Sequence, residues 1–335
     1  MMTGCGADMI RGFCREALGG FDTCEKLAGD ASTREYFRVF VNGTSFIVSR
    51  DPSFEGTSLA AYPYFQVYNL FQMQRIPVPR VLRFEPGRGL LLLEDAGDRM
   101  LEDLVNTGDM AAAARVYERL IDIMVDIQRI PRDGSVPFTL SFDVEKLMFE
   151  FGFFMEHALG GYFRARLSLH ARSELERAFF RVSEALQRKE LFVLNHRDYH
   201  SRNVMLREND IFIIDFQDAR LGLPHYDLVS LLRDAYAALD DTLFQRLKSR
   251  YYENSRAAGV HSLGADEFEK LFTLSAFQRT VKAIGTFGYQ VTARGKSLYE
   301  QYLRRALSYL PGYAELDESL AGATRIILDI AGGTR

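Results

Sequence analysis

The sequence predicts an α+β protein of two lobes. A small, antiparallel β-rich N-lobe spans residues 1–96, and a larger, mainly helical C-lobe spans 97–335. Three observations predict it. Short apolar runs broken by tight-turn signals crowd the N-terminal region. Long stretches of helical periodicity fill the remainder. One polar block near residue 200, flanked by short apolar runs, interrupts those helices.

The elements follow in order. Asp8 caps a helix that carries Ile10, Phe13, Ala17 and Leu18 on one face and stops at Gly19 and Gly20. Residues 27–39 read as two strands about a turn of small polar residues at 29–33. Asn42-Gly43 is a strong hairpin turn and opens a third strand at 45–49. An aromatic-rich helix is expected over 57–74, ended by Pro77 and Pro79. Residues 81–84 and 90–94 form another hairpin across 85–89, and the lobes join near 94–97. Helices are expected at about 101–130, 143–159, 170–189, 226–239, 242–257, 266–292 and 297–309.

The polar block carries the chemistry. Leu191, Phe192, Val193 and Leu194 read as a buried strand, and His196-Arg197-Asp198 follows. With Asn203 and, twelve positions later, Asp215, the block fits H-R-D-x-x-x-x-N plus a downstream metal Asp, the hardware of phosphoryl transfer from a nucleotide. Apolar runs at 204–206 and 211–214 flank a four-residue polar turn, 207–210. Paired as a hairpin, they bring Asn203 and Asp215 to one end, where opposed residues lie roughly 4.5–5.5 Å apart. Two oxygen donors suit a hard ion such as Mg2+. Asp198, on the loop feeding the hairpin, is placed to accept the proton of an attacking hydroxyl.

Composition narrows the class. The chain has 335 residues and nearly half are hydrophobic, so it is globular. A net charge of −4 without a basic run argues against nucleic acid as a partner. Cys5, Cys14 and Cys24 share no metal-ligand spacing and read as reduced thiols of a cytoplasmic protein. No apolar run approaches the ~20 residues of a membrane span, and no signal peptide is visible at the N-terminus.

Several segments together resemble the aminoglycoside phosphotransferase/choline kinase superfamily, and within it the bacterial anomeric kinases of N-acetylmuramate and N-acetylglucosamine. They are 29–32 with 36–39, 91–98 (LLLEDAGD), 196–205 (HRDYHSRNVM), 214–219 (IDFQDA) with 226–234, and Gln278-Arg279 with Lys282, Gly285 and Phe287. The resemblance implies a protein-kinase-like fold, ATP and Mg2+ as cofactors, and a small-molecule sugar acceptor. It implies Asp198 as base, Asn203 and Asp215 as metal ligands, and Ser32 and Thr33 over the ATP phosphates. Read alone, that turn favours an ordinary hairpin; at the first strand pair upstream of an H-R-D motif it favours a phosphate cradle. The third strand departs from the protein-kinase pattern, since it offers no Lys to pair the phosphates: either Arg34 or Arg50 substitutes, or this branch of the superfamily dispenses with the contact. The segment ending at Glu94 is either a plain buried strand or a hinge whose main chain bonds the adenine edge.

Other residues keep two readings. His200, Arg233, Gln278 and Arg279 are candidate substrate contacts or, respectively, a loop histidine and solvated or packed helix faces. Lys282 shares a helix face with Gln278, and with Arg233 and Arg279 it leans toward an anionic acceptor. Asp218 is a second-metal contact or a turn residue, and Asp227 braces the catalytic loop. The expected activity is ATP-dependent phosphorylation of the anomeric hydroxyl of N-acetylmuramate or N-acetylglucosamine, in cell-wall sugar recycling. The alternatives are a kinase of another small alcohol, such as an aminoglycoside or choline, and a nucleotide-binding pseudokinase scaffold.

Overall fold

The computed structural model describes residues 5–27 and 34–333, with side chains from residue 8 onward. Ser32 and Thr33, with the whole turn at 29–33, lie outside the described residues. The chain forms two compact units, residues 1–99 with 205–217, and residues 100–204 with 218–335.

The first unit is built on a five-stranded antiparallel sheet of order β1-β2-β3-β5-β4. Its strands are β1 (Thr23–Lys26), β2 (Glu35–Val41), β3 (Thr44–Arg50), β4 (Val81–Glu85) and β5 (Leu90–Glu94). β2 and β3 pair from Val41↔Thr44 to Glu35↔Arg50 around Asn42 and Gly43, both at positive φ (48° and 79°), as a two-residue hairpin turn requires. Helix α1 (Cys5–Leu18) buries Ile10, Phe13 and Cys14 against Phe37, Val39, Val48, Leu90 and Leu92 of the sheet. Helix α2 is Pro63–Met73, shorter than the expected 57–74. Pro63 takes the first helical position, where its missing N–H costs nothing, and residues 59–61 form a separate single turn.

The same unit holds, from Met205 onward, the hairpin of β8 (Val204–Arg207) and β9 (Asp210–Ile213). Its turn is Glu208-Asn209 rather than the expected four residues, because Arg207 and Asp210 are themselves in the strands and Glu208 adopts φ 55°.

The second unit is mostly helical. The expected helix 101–130 is two, α3 (Leu101–Asn106) and α4 (Met110–Gln128), since the chain leaves the helix at Thr107 and Asp109 caps the next one through Ala112 N–H. The two-residue strand β6 (Arg99–Met100) precedes them in the chain. Helix α5 (Val144–Phe154) runs on as a π-helical stretch, Met155–Tyr162. α6 is Leu169–Ala185. The buried strand expected at 191–194 is β7 (Val193–Asn195), which pairs with β10 (Arg220–Gly222). Helix α7 (His225–Leu232) ends well short of 239, at Arg233. α8 (Asp241–Ala257), α9 (Ala265–Thr292), α10 (Tyr299–Leu316) and α11 (Ala321–Gly333) complete the unit; α11 was not expected.

α9 is the spine of this unit, packed by α5, α7 and α10. The approach of α5 to α9 is close: a Cβ at Gly285 would lie 2.7 Å from the Cα of Phe154. Gly285→Ala must therefore push the backbones of α5 and α9 apart. It is expected to lower the unfolding free energy by about 1–3 kcal/mol, read by denaturant titration. An unchanged midpoint would show that the contact yields.

Candidate active site

In the second unit a tight loop follows β7, and its backbone is bolted down by two buried carboxylates of α7 and its C-terminal edge. Asp227 accepts from His196 N–H (2.6 Å) and Arg197 N–H (3.0 Å). Asp234 accepts from Ser201 N–H (2.9 Å) and Tyr236 N–H (2.8 Å). Arg202 reinforces the loop through Glu102 (2.6 Å) and lies 4.0 Å over the Tyr236 ring. Arg197 is held at φ 86°, a costly conformation for a side-chain-bearing residue and one that such bracing sustains.

These restraints place Asp198. Its carbonyl accepts from His200 N–H (3.0 Å) and from the Asn203 side-chain amide (2.9 Å). Its Oδ1 accepts from Lys282 Nζ (3.0 Å) and lies 3.5 Å from Arg279 Nη2, while Oδ2 is 3.8 Å from Arg197 Nε. Burial pushes the Asp198 carboxyl upward, but Lys282, Arg197 and Arg279 outweigh it and hold the carboxyl well below the ordinary carboxylate range. Arg279 is itself steered by a bond from Nε to Ser230 Oγ (2.8 Å).

Asp198, His200, Arg233, Asp234, Tyr236, Arg279 and Lys282 line one cavity of about 80 Å³. The structure therefore brings together four of the residues singled out from sequence as base or substrate contacts: Asp198, His200, Arg233 and Arg279. Burial pushes the His200 imidazole down to about 3, so it is neutral at pH 7. The Arg233 guanidinium stacks 3.7 Å over Phe244. Gln278 goes elsewhere: it is buried and donates to Glu150 Oε2 (2.9 Å). Sequence reasoning missed that Lys282 meets Asp198. Its spacing to Arg279 was visible, but the contact depends on how α9 packs. Asp218, the other Asp of the IDFQDA segment, forms an ion pair with Arg197 (3.0 Å).

In the first unit, Asp215 follows β9 with φ 64°, a left-handed conformation uncommon outside glycine that Asp tolerates better than most residues, and its carboxylate is half exposed. The next residue, Phe216, is buried between Tyr64 (4.8 Å) and Phe71 (5.3 Å) of α2, which pins the strained turn. Gln217 Nε2 donates to Asp215 Oδ1 (2.8 Å), and Arg34 Nη1 stands 3.9 Å from the same oxygen. Arg50 pairs with Glu35 (3.0 Å) and Glu55 (3.6 Å). The Glu94 side chain is held by Arg207 (2.8 Å) and Arg80 (3.1 Å), and its N–H donates to Arg80 O (2.9 Å).

In the second unit the Asn203 NH2 group is spent on the Asp198 carbonyl, which leaves Oδ1 as an oxygen donor of the kind a hard divalent cation takes. In the first unit Asp215 separately offers a half-exposed carboxylate of the same donor class. Among the described residues no group of three or more His, Cys, Asp or Glu is arranged to hold a metal. Among them, too, no helix is long and apolar enough to cross a membrane.

Residues 23–260 match the model of the phosphotransferase enzyme family. The chain is 31% identical over 309 residues to the N-acetylmuramate/N-acetylglucosamine kinase of Neisseria meningitidis, covering 91% of this chain and 90% of that protein. It is 29% identical over 320 residues to the protein of the same name from Pseudomonas aeruginosa, covering 92% and 91%. Two solved structures share the fold at low identity. A spectinomycin phosphotransferase in complex with ADP and spectinomycin has a TM-score of 0.62 at 13% identity, covering 95% of this chain and 98% of that one. A choline kinase from Cryptosporidium parvum has a TM-score of 0.64 at 12% identity, covering 96% and 99%.

Proposed function

We infer the function from the family: this chain belongs to the phosphotransferase enzyme family and is a small-molecule kinase. We propose that it transfers the γ-phosphoryl group of ATP to the anomeric hydroxyl of N-acetylmuramate or N-acetylglucosamine, giving the 1-phosphate, in the cytoplasmic recycling of cell-wall sugars. Asp198 accepts the hydroxyl proton as the new O–P bond forms and ADP departs. By the family resemblance Asn203 and Asp215 are the residues that would hold Mg2+, which when bound would supply positive charge to the phosphate oxygens. The family resemblance assigns Ser32, Thr33 and Arg34 to the nucleotide phosphates and the main chain near Glu94 to the base. Arg50, committed to Glu35 and Glu55, is not assigned to the phosphates.

The observation that carries the acceptor assignment is the charge of the cavity beside Asp198. Arg233, Arg279 and Lys282 line it against only Asp198 and Asp234. Burial pushes the Asp234 carboxyl upward from its ordinary value, against the Ser201 and Tyr236 hydrogen bonds that it accepts. Such a lining favours an acceptor bearing a carboxylate, as N-acetylmuramate does, over a polycation or a quaternary amine. The names of the relatives point to the same sugars.

The test is a panel of acceptors with ATP and Mg2+, scored by the position of the new phosphate. N-acetylmuramate and N-acetylglucosamine are expected to gain phosphate at C1. No turnover of either would refute the acceptor assignment, and phosphorylation of an aminoglycoside or choline would put the alternative kinase reading in its place.

A further inference from the structure

We propose that Arg34 and Asp51 form the phosphate-facing ion pair of the nucleotide site, with Arg34 touching the nucleotide phosphates and Asp51 the residue that positions it. This rests on the kinase reading above. It addresses a gap that the sequence leaves open. Protein kinases pair the phosphates with a Lys on the third strand, whereas β3 ends here in Val48-Ser49-Arg50.

Asp51 is unusual for a residue just past a strand end. It is 2% exposed, and both carboxylate oxygens are occupied. Oδ1 accepts from Ser53 N–H (2.9 Å) and Ser53 Oγ (2.6 Å), and Oδ2 accepts from the Tyr62 hydroxyl and from Arg34 Nε (2.8 Å). Its own N–H donates to Gly89 O (2.8 Å). A carboxylate tied by four donors cannot swing, and burial of its charge is compensated within the cluster. Because a guanidinium is a rigid planar fork, fixing Nε fixes the direction of both Nη arms. The Nη1 arm stands 3.9 Å from the half-exposed Asp215 carboxylate, the proposed metal ligand, with the Arg34 side chain still 16% exposed.

Two features make this a built arrangement. Tyr62 at the N-terminal edge of α2 holds Asp51, and two residues later Tyr64 packs on Phe216, next to Asp215. One short stretch of chain thus locates both ends of the Arg34 contact. Arg50 has a different set of partners: its fork spans Glu35 and Glu55, and Glu35 is tied again to Lys26 (2.6 Å). Of the two candidate cations, Arg34 alone is placed against Asp215 by these pairings.

The test is calorimetric binding of adenosine and of ADP with Mg2+ to the full chain, without turnover. The wild type is expected to bind ADP more tightly than adenosine, and the difference measures the phosphate contacts. Arg34→Gln is expected to weaken ADP binding by about tenfold or more while adenosine binding stays unchanged, as loss of a charge-assisted contact implies. Arg34→Lys, which keeps the charge but not the fork, is expected to fall between the two. Asp51→Asn, nearly isosteric, is expected to weaken ADP binding several-fold in the same selective way. The proposal is overturned if Arg34→Gln binds ADP like the wild type, or loses adenosine in equal measure. It is equally overturned if Arg50→Gln removes the phosphate increment and Arg34→Gln does not. A wild-type protein that binds neither ligand would instead bring down the kinase reading itself.

Discussion

Asp198→Ala is expected to remove turnover, with kcat falling ~10²–10⁴-fold, while ADP binding persists. The loop does not depend on this carboxylate for its shape. Its main chain hangs on Asp227 and Asp234, its Arg202 on Glu102, and the Asp198 carbonyl on the Asn203 amide. Truncation therefore removes a proton acceptor and spares the scaffold. It also strips Lys282 and Arg279 of a counter-charge, so Asp198→Asn serves as the isosteric companion and is expected to be as inactive. The pair of measurements separates an enzyme from a nucleotide-binding scaffold. An active wild type with silent, ADP-binding variants is a kinase whose base is Asp198. Normal turnover in either variant would mean that the base is another residue. No turnover in the wild type on any acceptor, with ADP still bound, would favour the scaffold.

How much of this was legible in the sequence varies with the range of the interaction responsible. The hairpin at Asn42-Gly43 was legible because a two-residue turn with positive φ at both positions is a local demand. The H-R-D block was legible as a unit because its residues sit on one short loop. Helix boundaries were less so. The break at Thr107 and the end of α7 at Arg233 interrupt periodic patterns. At Arg233 the tertiary gain is visible, since leaving the helix stacks its guanidinium on Phe244 across the unit. The contact of Lys282 with Asp198 was not legible, because on α9 it shares a face with Gln278, yet the two diverge to Asp198 and Glu150. Asp51 escaped for a similar reason. Nothing local distinguishes a strand-end Asp that is exposed from one buried under Tyr62 and Arg34.

Lys282→Met is expected to be the next most damaging change, lowering kcat by ~10²-fold and altering its pH profile. Two cations meet one oxygen of Asp198. Lys282 Nζ at 3.0 Å makes the shorter contact with Asp198 Oδ1, and Arg279 at 3.5 Å the longer. Burial lowers Lys282 from the ordinary lysine range, but Asp198 opposes that shift, so the pair is best described as an ammonium on a carboxylate. In the wild type the three surrounding cations keep Asp198 ionised below the usual carboxylate range, so kcat should show no acid limb from this group near pH 4–5. With methionine at 282 the strongest of those attractions is gone and burial is less opposed. The Asp198 pKa must then rise, and activity must fall as pH drops through the new value. A kcat–pH profile of the two proteins reads this directly, and Lys282→Arg should restore the flat profile more than the rate. If the Met variant keeps a flat profile and a normal rate, Lys282 is packing and Asp198 is held by its arginines. Comparing acceptors divides the remaining loss. An equal fall on N-acetylmuramate and N-acetylglucosamine places Lys282 at the base alone. A larger fall on N-acetylmuramate would show that the same ammonium also meets the carboxylate of that acceptor, as the Arg233, Arg279 and Lys282 lining of the adjoining cavity predicts.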